Sequence, residues 1–409
     1  MTPLNVLMVT SQFLPEVFGG AEQQCLKLSR VLAGRGHAVT VLTSRSAQET
    51  PAEELMGGVR IVRLFVPRPP RTGLASLRAS RDWIGQALDW VAANRGAADV
   101  VHMHQAKMNG VVGAECTRRW GIPSVAKLGN AGRAMDLRAL ARARPFYGAV
   151  LARHVKRHAT RFVAISSTIA EEMAVDGIDA ARIARIPNGV VVPPPPDPAA
   201  RARLRAELSL TGDQTAYLFA GRLERQKNVP LLLDGFKAFA EADPGAVLLL
   251  AGDGEDEAAL RRQGAHDRIR FLGRRGDVGA LMQAADVFVL PALTEGLSNA
   301  LLEAMSHGLV PLSSCVSGSI DVIEDGENGW LFDAHAASSL TEALRRVAAT
   351  PPARRAEMAA AARAAIAEGY DIEVVASRYE SLYAALVAAR HATCETGACA
   401  TSPGRTNQT

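Results

Sequence analysis

Cysteine is scarce in this chain: Cys25, Cys116, Cys315, Cys394 and Cys399 are the only five among 409 residues. They form no tight four-ligand metal spacing and no dense disulfide framework, so free thiols in a reducing compartment are expected. Aromatic residues make up only 5% of the chain, and no apolar run approaches the ~18 residues that a membrane-spanning helix needs. The opening MTPLNVLMVT carries no basic leader, so no cleavable signal is expected. Charge of one sign is also lacking. The excess of Lys and Arg over Asp and Glu is 46 − 42 = +4, too small over this length for general nucleic-acid binding. With 35 Gly and 21 Pro but no strict period, collagen-like architecture is excluded.

What remains is an ordinary globular composition, 48% hydrophobic and 22% charged. At ~150 residues per domain the length predicts two to three domains. Asn5–Thr10 is a short apolar run, followed by a Pro/Gly loop and a helical pattern over Ala21–Ala33 that Gly34 and Gly36 stop. Ala38–Leu42 reads as the next strand, which completes a β–α–β unit. Further strands are predicted at Val59–Phe65, Val100–Met103, Ser124–Leu128 and Phe162–Ile165, with helical stretches between them. That alternation specifies a mostly parallel sheet covered by helices on both faces.

Pro193–Pro196 punctuates the chain, since four prolines continue neither a helix nor a central strand. The pattern then restarts, with strands at Ala216–Ala220, Val247–Ala251, Ile269–Leu272, Val287–Leu290 and Val310–Ser313. Helices are predicted over Pro230–Ala242, Asp256–Gln263, Val278–Ala284 and Asn299–Ser306, and a long helical stretch over Ser338–Arg390 breaks at Pro351-Pro352 and near Gly369. Two doubly wound domains follow, meeting at a cleft where the carboxyl ends of their strands face each other. The expected division is 1–192 as a first Rossmann-like domain, 193–370 as a second, 371–390 as a helix returning to the first, and 391–409 as a disordered tail.

Two segments carry anion-binding chemistry. Pro291–Gly308 leaves a strand and opens a helix for which Ser298 is a suitable N-cap, so the amides of Leu297, Ser298, Asn299 and Ala300 can face a phosphate. Glu295 precedes that helix and Glu303 lies inside it; both carboxylates can accept hydroxyl hydrogen bonds, or both can be solvated. Gly221-Arg222-Leu223-Glu224-Arg225-Gln226-Lys227-Asn228 also follows a strand, and Arg222 with Lys227 can converge on a diphosphate or form a charged surface loop.

Together these segments resemble the retaining glycosyltransferases of family 4, which have two Rossmann-like domains in the GT-B arrangement. The resemblance covers nearly all of residues 5–390. Glu295 and Glu303 within EGLSNALLEAMSHG are similar to the family's two glutamates separated by seven residues. FLPEVFGGAE at Phe13–Glu22, IPNGV at Ile186–Val190, AGDG at Ala251–Gly254, FLG at Phe271–Gly273 and VIEDGENGWLF at Val322–Phe332 support it in order. The resemblance implies a nucleoside diphosphate sugar as co-substrate and a donor held mainly by the second domain; no cofactor is expected, and no metal ligands, since Asp253-Gly254-Glu255-Asp256 reads as a solvated loop and helix start. Arg222 and Lys227 would contact the diphosphate, Glu295 the sugar hydroxyls beside the Leu297–Ala300 amides, and Glu303 the ribose. Arg270, Phe271 and Leu272 would lie beside the base, and Gly19 and Gly20 would admit the diphosphate. A histidine ending the Val100–Met103 strand would meet the donor sugar; His104 takes that role, with His102 as second choice.

The resemblance further implies transfer to a hydroxyl acceptor, with lipid-linked and phosphorylated acceptors both open, in glycan, glycolipid or specialised-metabolite synthesis. The expected location is the cytoplasm, with the inner face of the cell membrane open. A noncatalytic sugar-nucleotide-binding or assembly protein is the alternative. The family pattern is not followed at Val191, where many members have an acid, nor at Val316–Asp321, which replaces the common double-glycine, proline and glutamate loop. Arg133–Arg161 holds eight Arg or Lys against Asp136 alone, with interspersed apolar residues. An anionic membrane, a phosphorylated acceptor and solvent are all open as its partner.

Overall fold

The computed structural model describes residues 2–67, 74–143, 147–195 and 197–395. Arg144, Phe146, Pro196, Cys399 and the remainder of 396–409 lie outside the described residues.

The first sheet contains β1 (Asn5–Val9), β2 (Ala38–Arg45), β3 (Glu53–Met56), β4 (Val59–Phe65), β5 (Val100–His104), β6 (Ser124–Leu128), β7 (Arg161–Ala164) and β8 (Ile183–Arg185). Their order across the sheet is β3-β4-β2-β1-β5-β6-β7-β8, and only β3 runs antiparallel to its neighbour. The second sheet contains β9 (Thr215–Ala220), β10 (Ala246–Ala251), β11 (Ile269–Gly273), β12 (Val287–Leu290), β13 (Val310–Ser314) and β14 (Trp330–Phe332), in the order β11-β10-β9-β12-β13-β14. All its pairings are parallel. The central strands β1, β9, β10 and β12 are largely apolar runs because helices bury both of their faces, and β5 interrupts its apolar residues with His102 and His104.

In each sheet the chain leaves a central strand to one side and later returns to the other side. The switch points fall between β1 and β5, and between β9 and β12. Loops leaving neighbouring strands diverge there, which opens a crevice at the carboxyl ends. The Gly19-Gly20 loop, His104, the Gly221–Lys227 loop and the Pro291–Ser298 loop all emerge at these points.

The last helix, Ile372–Glu395, packs on the first sheet rather than the second. Its Val375, Ala376, Tyr379 and Tyr383 join Val6, Met8, Val100 and helix Gly20–Gly34 in one apolar cluster. Residues 391–395, expected to begin a disordered tail, are helical instead, because this helix continues beyond Arg390. Two further differences concern short elements. Helix Pro198–Glu207 was not anticipated after the proline run; Asp197 caps it and its Pro198 occupies the first turn. The three-residue strands β8 and β14 are too short for periodicity to reveal. Among the described residues Cys25, Cys116 and Cys315 are free thiols, and no helix is long and apolar enough to cross a membrane.

Candidate active site

The two sheets present their carboxyl ends to a shared cleft of about 300 Å³. From the second domain it is lined by Gly221, Arg222, Lys227, Glu295, Leu297, Ser298, Asn299 and Ala300; from the first by Gly20, Gln24, His104, Gln105, Lys127 and Asn130. Ser298 caps helix Asn299–Ser306, its hydroxyl accepting a hydrogen bond from the Leu301 amide at 3.3 Å. That bond fixes the direction of the helix start, so the free amides of the first turn face the cleft.

The charged groups are paired within the second domain. Lys227 forms an ion pair with Glu295, and both side chains are largely buried. Arg222 reaches Glu224 at 2.6 Å and is the more exposed of the two cations. The 3-10 turn Arg225–Lys227, closed by left-handed Asn228, carries Lys227 back towards the strand end.

The floor is built by β5 and β6. His104 and Lys127 are register partners on these neighbouring strands. His102 and His104 lie on one face of β5 with ring centroids 4.3 Å apart. His102 Nδ1 and the Tyr383 hydroxyl share a hydrogen bond at 2.6 Å, which ties the final helix to the strand. Burial, reinforced by the neighbouring Lys127 charge, holds His102 neutral; burial with His102 and Lys127 nearby does the same for His104. His104 is 1% exposed and its Nε2 has no hydrogen-bond partner.

Not every expected residue enters the cleft lining. Glu303 lies one turn further along its helix, in an ion pair with Lys27 of the first domain at 2.6 Å. Arg270 points back to the carbonyls of Leu208 and Ser209, and the Phe271 ring carries the Arg261 guanidinium at 5.0 Å. Phe271 and Leu272 are part-buried on β11, outside the lining, and Gly19 stands just before it. A Cβ on Gly19 would collide with the Glu22 carboxylate, which folds back over the loop. Burial raises the Glu22 pKa, against hydrogen bonds from the Glu22 and Gly19 amides.

Sequence reasoning missed Lys127, Gln24 and Asn299's bridging role. Asn299 Oδ1 accepts from Gln24 at 3.2 Å and from Asn188 at 2.9 Å, while its Nδ2 donates to the Gly20 carbonyl. One side chain at the helix start thus holds two segments of the opposite domain, helix Gly20–Gly34 and the loop at Asn188. A lysine inside an otherwise apolar strand was the available signal for Lys127.

The Arg133–Arg161 region is less positive in space than in sequence. Arg138 pairs with Glu172 and Asp176, Lys156 donates to the Asp176 carbonyl, and His154 meets Glu115 at 2.8 Å. The acids come from other elements, so a count within the segment overstated its free charge.

Two doubly wound domains that gather cations, helix-start amides and a buried histidine across one cleft define the GT-B class of sugar-transferring enzymes. Residues 19–189 match the family described as Glycosyl transferase 4-like domain, and residues 200–365 match Glycosyl transferases group 1. The chain is 30% identical over 373 residues to the D-inositol 3-phosphate glycosyltransferase of Xylanimonas cellulosilytica, spanning 85% of this chain and 87% of that one. It is 29% identical over 382 residues to the phosphatidyl-myo-inositol mannosyltransferase of Mycobacterium leprae, spanning 90% and 93%. Among solved structures, Anabaena HepE in complex with UDP-glucose superposes with a TM-score of 0.73 at 20% identity, over 93% of this chain and all of that one. The chain belongs to glycosyltransferase family 4.

Proposed function

We propose that this protein is a retaining, metal-independent transferase that moves a hexosyl or related sugar from a nucleoside diphosphate to an acceptor hydroxyl. In this reading residues 193–370 hold the donor and residues 1–192 face the acceptor. The observation that carries it is the convergence of Arg222, Lys227, Glu295 and the Leu297–Ala300 helix start opposite Gly20 and His104.

Departure of the diphosphate concentrates negative charge, and fixed cations with free amides stabilise that charge without reorganising. Arg222 supplies directional donors, Lys227 a point charge, and Ser298–Ala300 the positive end of a helix. These groups offer the neutralisation that a divalent ion would otherwise provide. Glu295, oriented by Lys227, accepts from donor-sugar hydroxyls. Neutral His104 hydrogen-bonds the sugar near the reacting carbon, and the acceptor approaches on the face that the diphosphate leaves. Glu303, held by Lys27 at the cleft's margin, receives the ribose. UDP-glucose and UDP bound to HepE make a nucleoside diphosphate sugar the donor class to test first.

The acceptor side points to a membrane surface. Val150 on the outer face of the basic helix Gly148–His158 is 57% exposed, and Val175 beside that helix is 84% exposed. The relative from Mycobacterium leprae is named for a phosphatidyl-inositol acceptor, in keeping with chemistry at a lipid interface.

Metal-stripped protein incubated with a panel of UDP-, GDP- and ADP-sugars and hydroxyl acceptors tests this function. Transfer with the donor's anomeric configuration kept, by proton NMR, is expected. Inactivity restored only by a divalent ion would remove the metal claim, an inverted product would remove retention, and donor binding with neither transfer nor hydrolysis would favour a noncatalytic role.

A further inference from the structure

Three cations line the cleft, and they are not equivalent. Arg222 is matched by Glu224 and Lys227 by Glu295, both within the second domain. Lys127 comes from the first domain, at the carboxyl end of β6. Among the described residues no carboxylate and no hydrogen-bond acceptor reaches its ammonium; its polar company is the Tyr379 ring at 5.9 Å, the Cys25 thiol and the neutral imidazoles of His102 and His104. Burial pushes that thiol up to about 12, so it stays neutral and offers no counter-charge. The adjacent His104 is neutral too, and its buried Nε2 is likewise unpartnered.

A buried ammonium without a counter-charge works against the fold, and an apolar side chain of similar length would fill the same space at less cost. An unpartnered ammonium lining a cleft that opens towards a helix start and two further cations forms a gap in a polar network rather than a packing solution. What closes such a gap is an anion with several acceptor oxygens. An acceptor phosphate would have to share the pocket with Arg222, Lys227 and the Leu297–Ala300 amides, which the donor's diphosphate occupies in the reading above.

We infer that Lys127 is a further ligand of the nucleoside diphosphate, contributed by the first domain. The inference rests on the donor site proposed above. Its consequence is that the leaving group is gripped by cations from both domains. Negative charge that grows on the diphosphate then draws the two walls together at the moment of transfer.

The test uses the full chain with UDP, GDP and ADP, each beside its own nucleoside, by isothermal titration and thermal shift. Lys127→Met should leave the ligand-free melting temperature equal or higher, because an unpaired charge is removed. It should weaken the preferred nucleoside diphosphate roughly 10–100-fold while the matching nucleoside changes less than about twofold, and Lys127→Arg should recover part of the loss. Equal diphosphate affinity in wild type and Lys127→Met overturns the inference and leaves the donor site standing. A lower melting temperature or failure to fold, or equal weakening of nucleoside and diphosphate, assigns Lys127 a structural role instead. If wild-type protein binds none of the three diphosphates, the donor-site reading itself falls, and the inference with it.

Discussion

Arg222 and Lys227 share a strand-exit loop but have different burdens. Arg222 is 71% exposed in its side chain, so its removal leaves the fold intact, whereas Lys227 is buried against Glu295. Both R222A and K227A should remain folded by circular dichroism and lose roughly 30–1000-fold in turnover at saturating donor, about 2–4 kcal/mol of leaving-group stabilisation. Near-normal turnover in both would remove them from the mechanism. Lys127 makes a separate prediction in pH. Burial lowers its pKa from the usual 10.5 to about 8. Below about pH 8 the ammonium is protonated in the folded and unfolded chain alike, and the folded state carries the whole desolvation penalty. Between about pH 8 and 10.5 the folded state sheds its proton first, so the penalty is relieved as pH rises. Lys127→Met should therefore be more stable than wild type at pH 7 by roughly 1–3 kcal/mol, with the gap closing by pH 10 in urea titrations. A pH-independent difference would contradict the buried, unpaired charge. At this scale the sequence was legible where chemistry sits in contiguous motifs: the Arg222–Lys227 loop and the Leu297–Ala300 helix start both line the cleft. Lys127 and the Gln24–Asn299–Asn188 contacts were hidden because strand pairing and domain approach, not sequence spacing, bring them together.

Among the elements, helix Gly148–His158 shows how neighbours alter a sequence-level impression. Lys156 is engaged by the Asp176 carbonyl, while Arg153 and Arg157 have no carboxylate partner among the described residues. If this helix meets an anionic leaflet, those two guanidinium groups with exposed Val150 form its contact. Replacing Arg153 and Arg157 with Gln removes up to about 1 kcal/mol of attraction each at low salt, less when screened. Sedimentation with phosphatidylserine-containing vesicles should fall about 5–30-fold, while soluble nucleoside diphosphate binding stays unchanged. Unaltered sedimentation, or none in wild type, would make this a solvated face. Long elements were readable because both sheets are built from buried parallel strands alternating with amphipathic helices; helix Asn299–Ser306 and strands Val59–Phe65 and Ser124–Leu128 fall where periodicity puts them. The antiparallel edge β3 was not, since its EELM residues alternate only between exposed and half-buried and carry little apolar signal.

At the scale of the whole molecule, the chain crosses between domains twice, and the crossings touch. Val190 donates its amide to the Tyr370 carbonyl and accepts from the Ile372 amide, both at 2.9 Å, so the two strands of the connection move as one. Gly296 packs directly against backbone of the other domain. A Cβ there would run into the Gly129 carbonyl and lie 3.4 Å from the Asn130 Cα. Neither neighbour can yield as a flexible side chain can, because both belong to the main chain that leaves β6. Gly296→Ala therefore acts as a wedge: the donor loop keeps its own fold, while the walls are held apart by a fraction of an ångström to an ångström. Catalysis that depends on aligning acceptor with donor and excluding water is sensitive to such a displacement. We expect kcat to fall roughly 10–100-fold with nucleoside binding to the second domain unchanged, and small-angle scattering in the presence of donor to report a larger radius of gyration than wild type. An adjacent Leu297→Ile change, which adds no atom at the contact, serves as the control for local loop damage. Wild-type turnover and scattering in Gly296→Ala would mean that the domains do not need this approach to react.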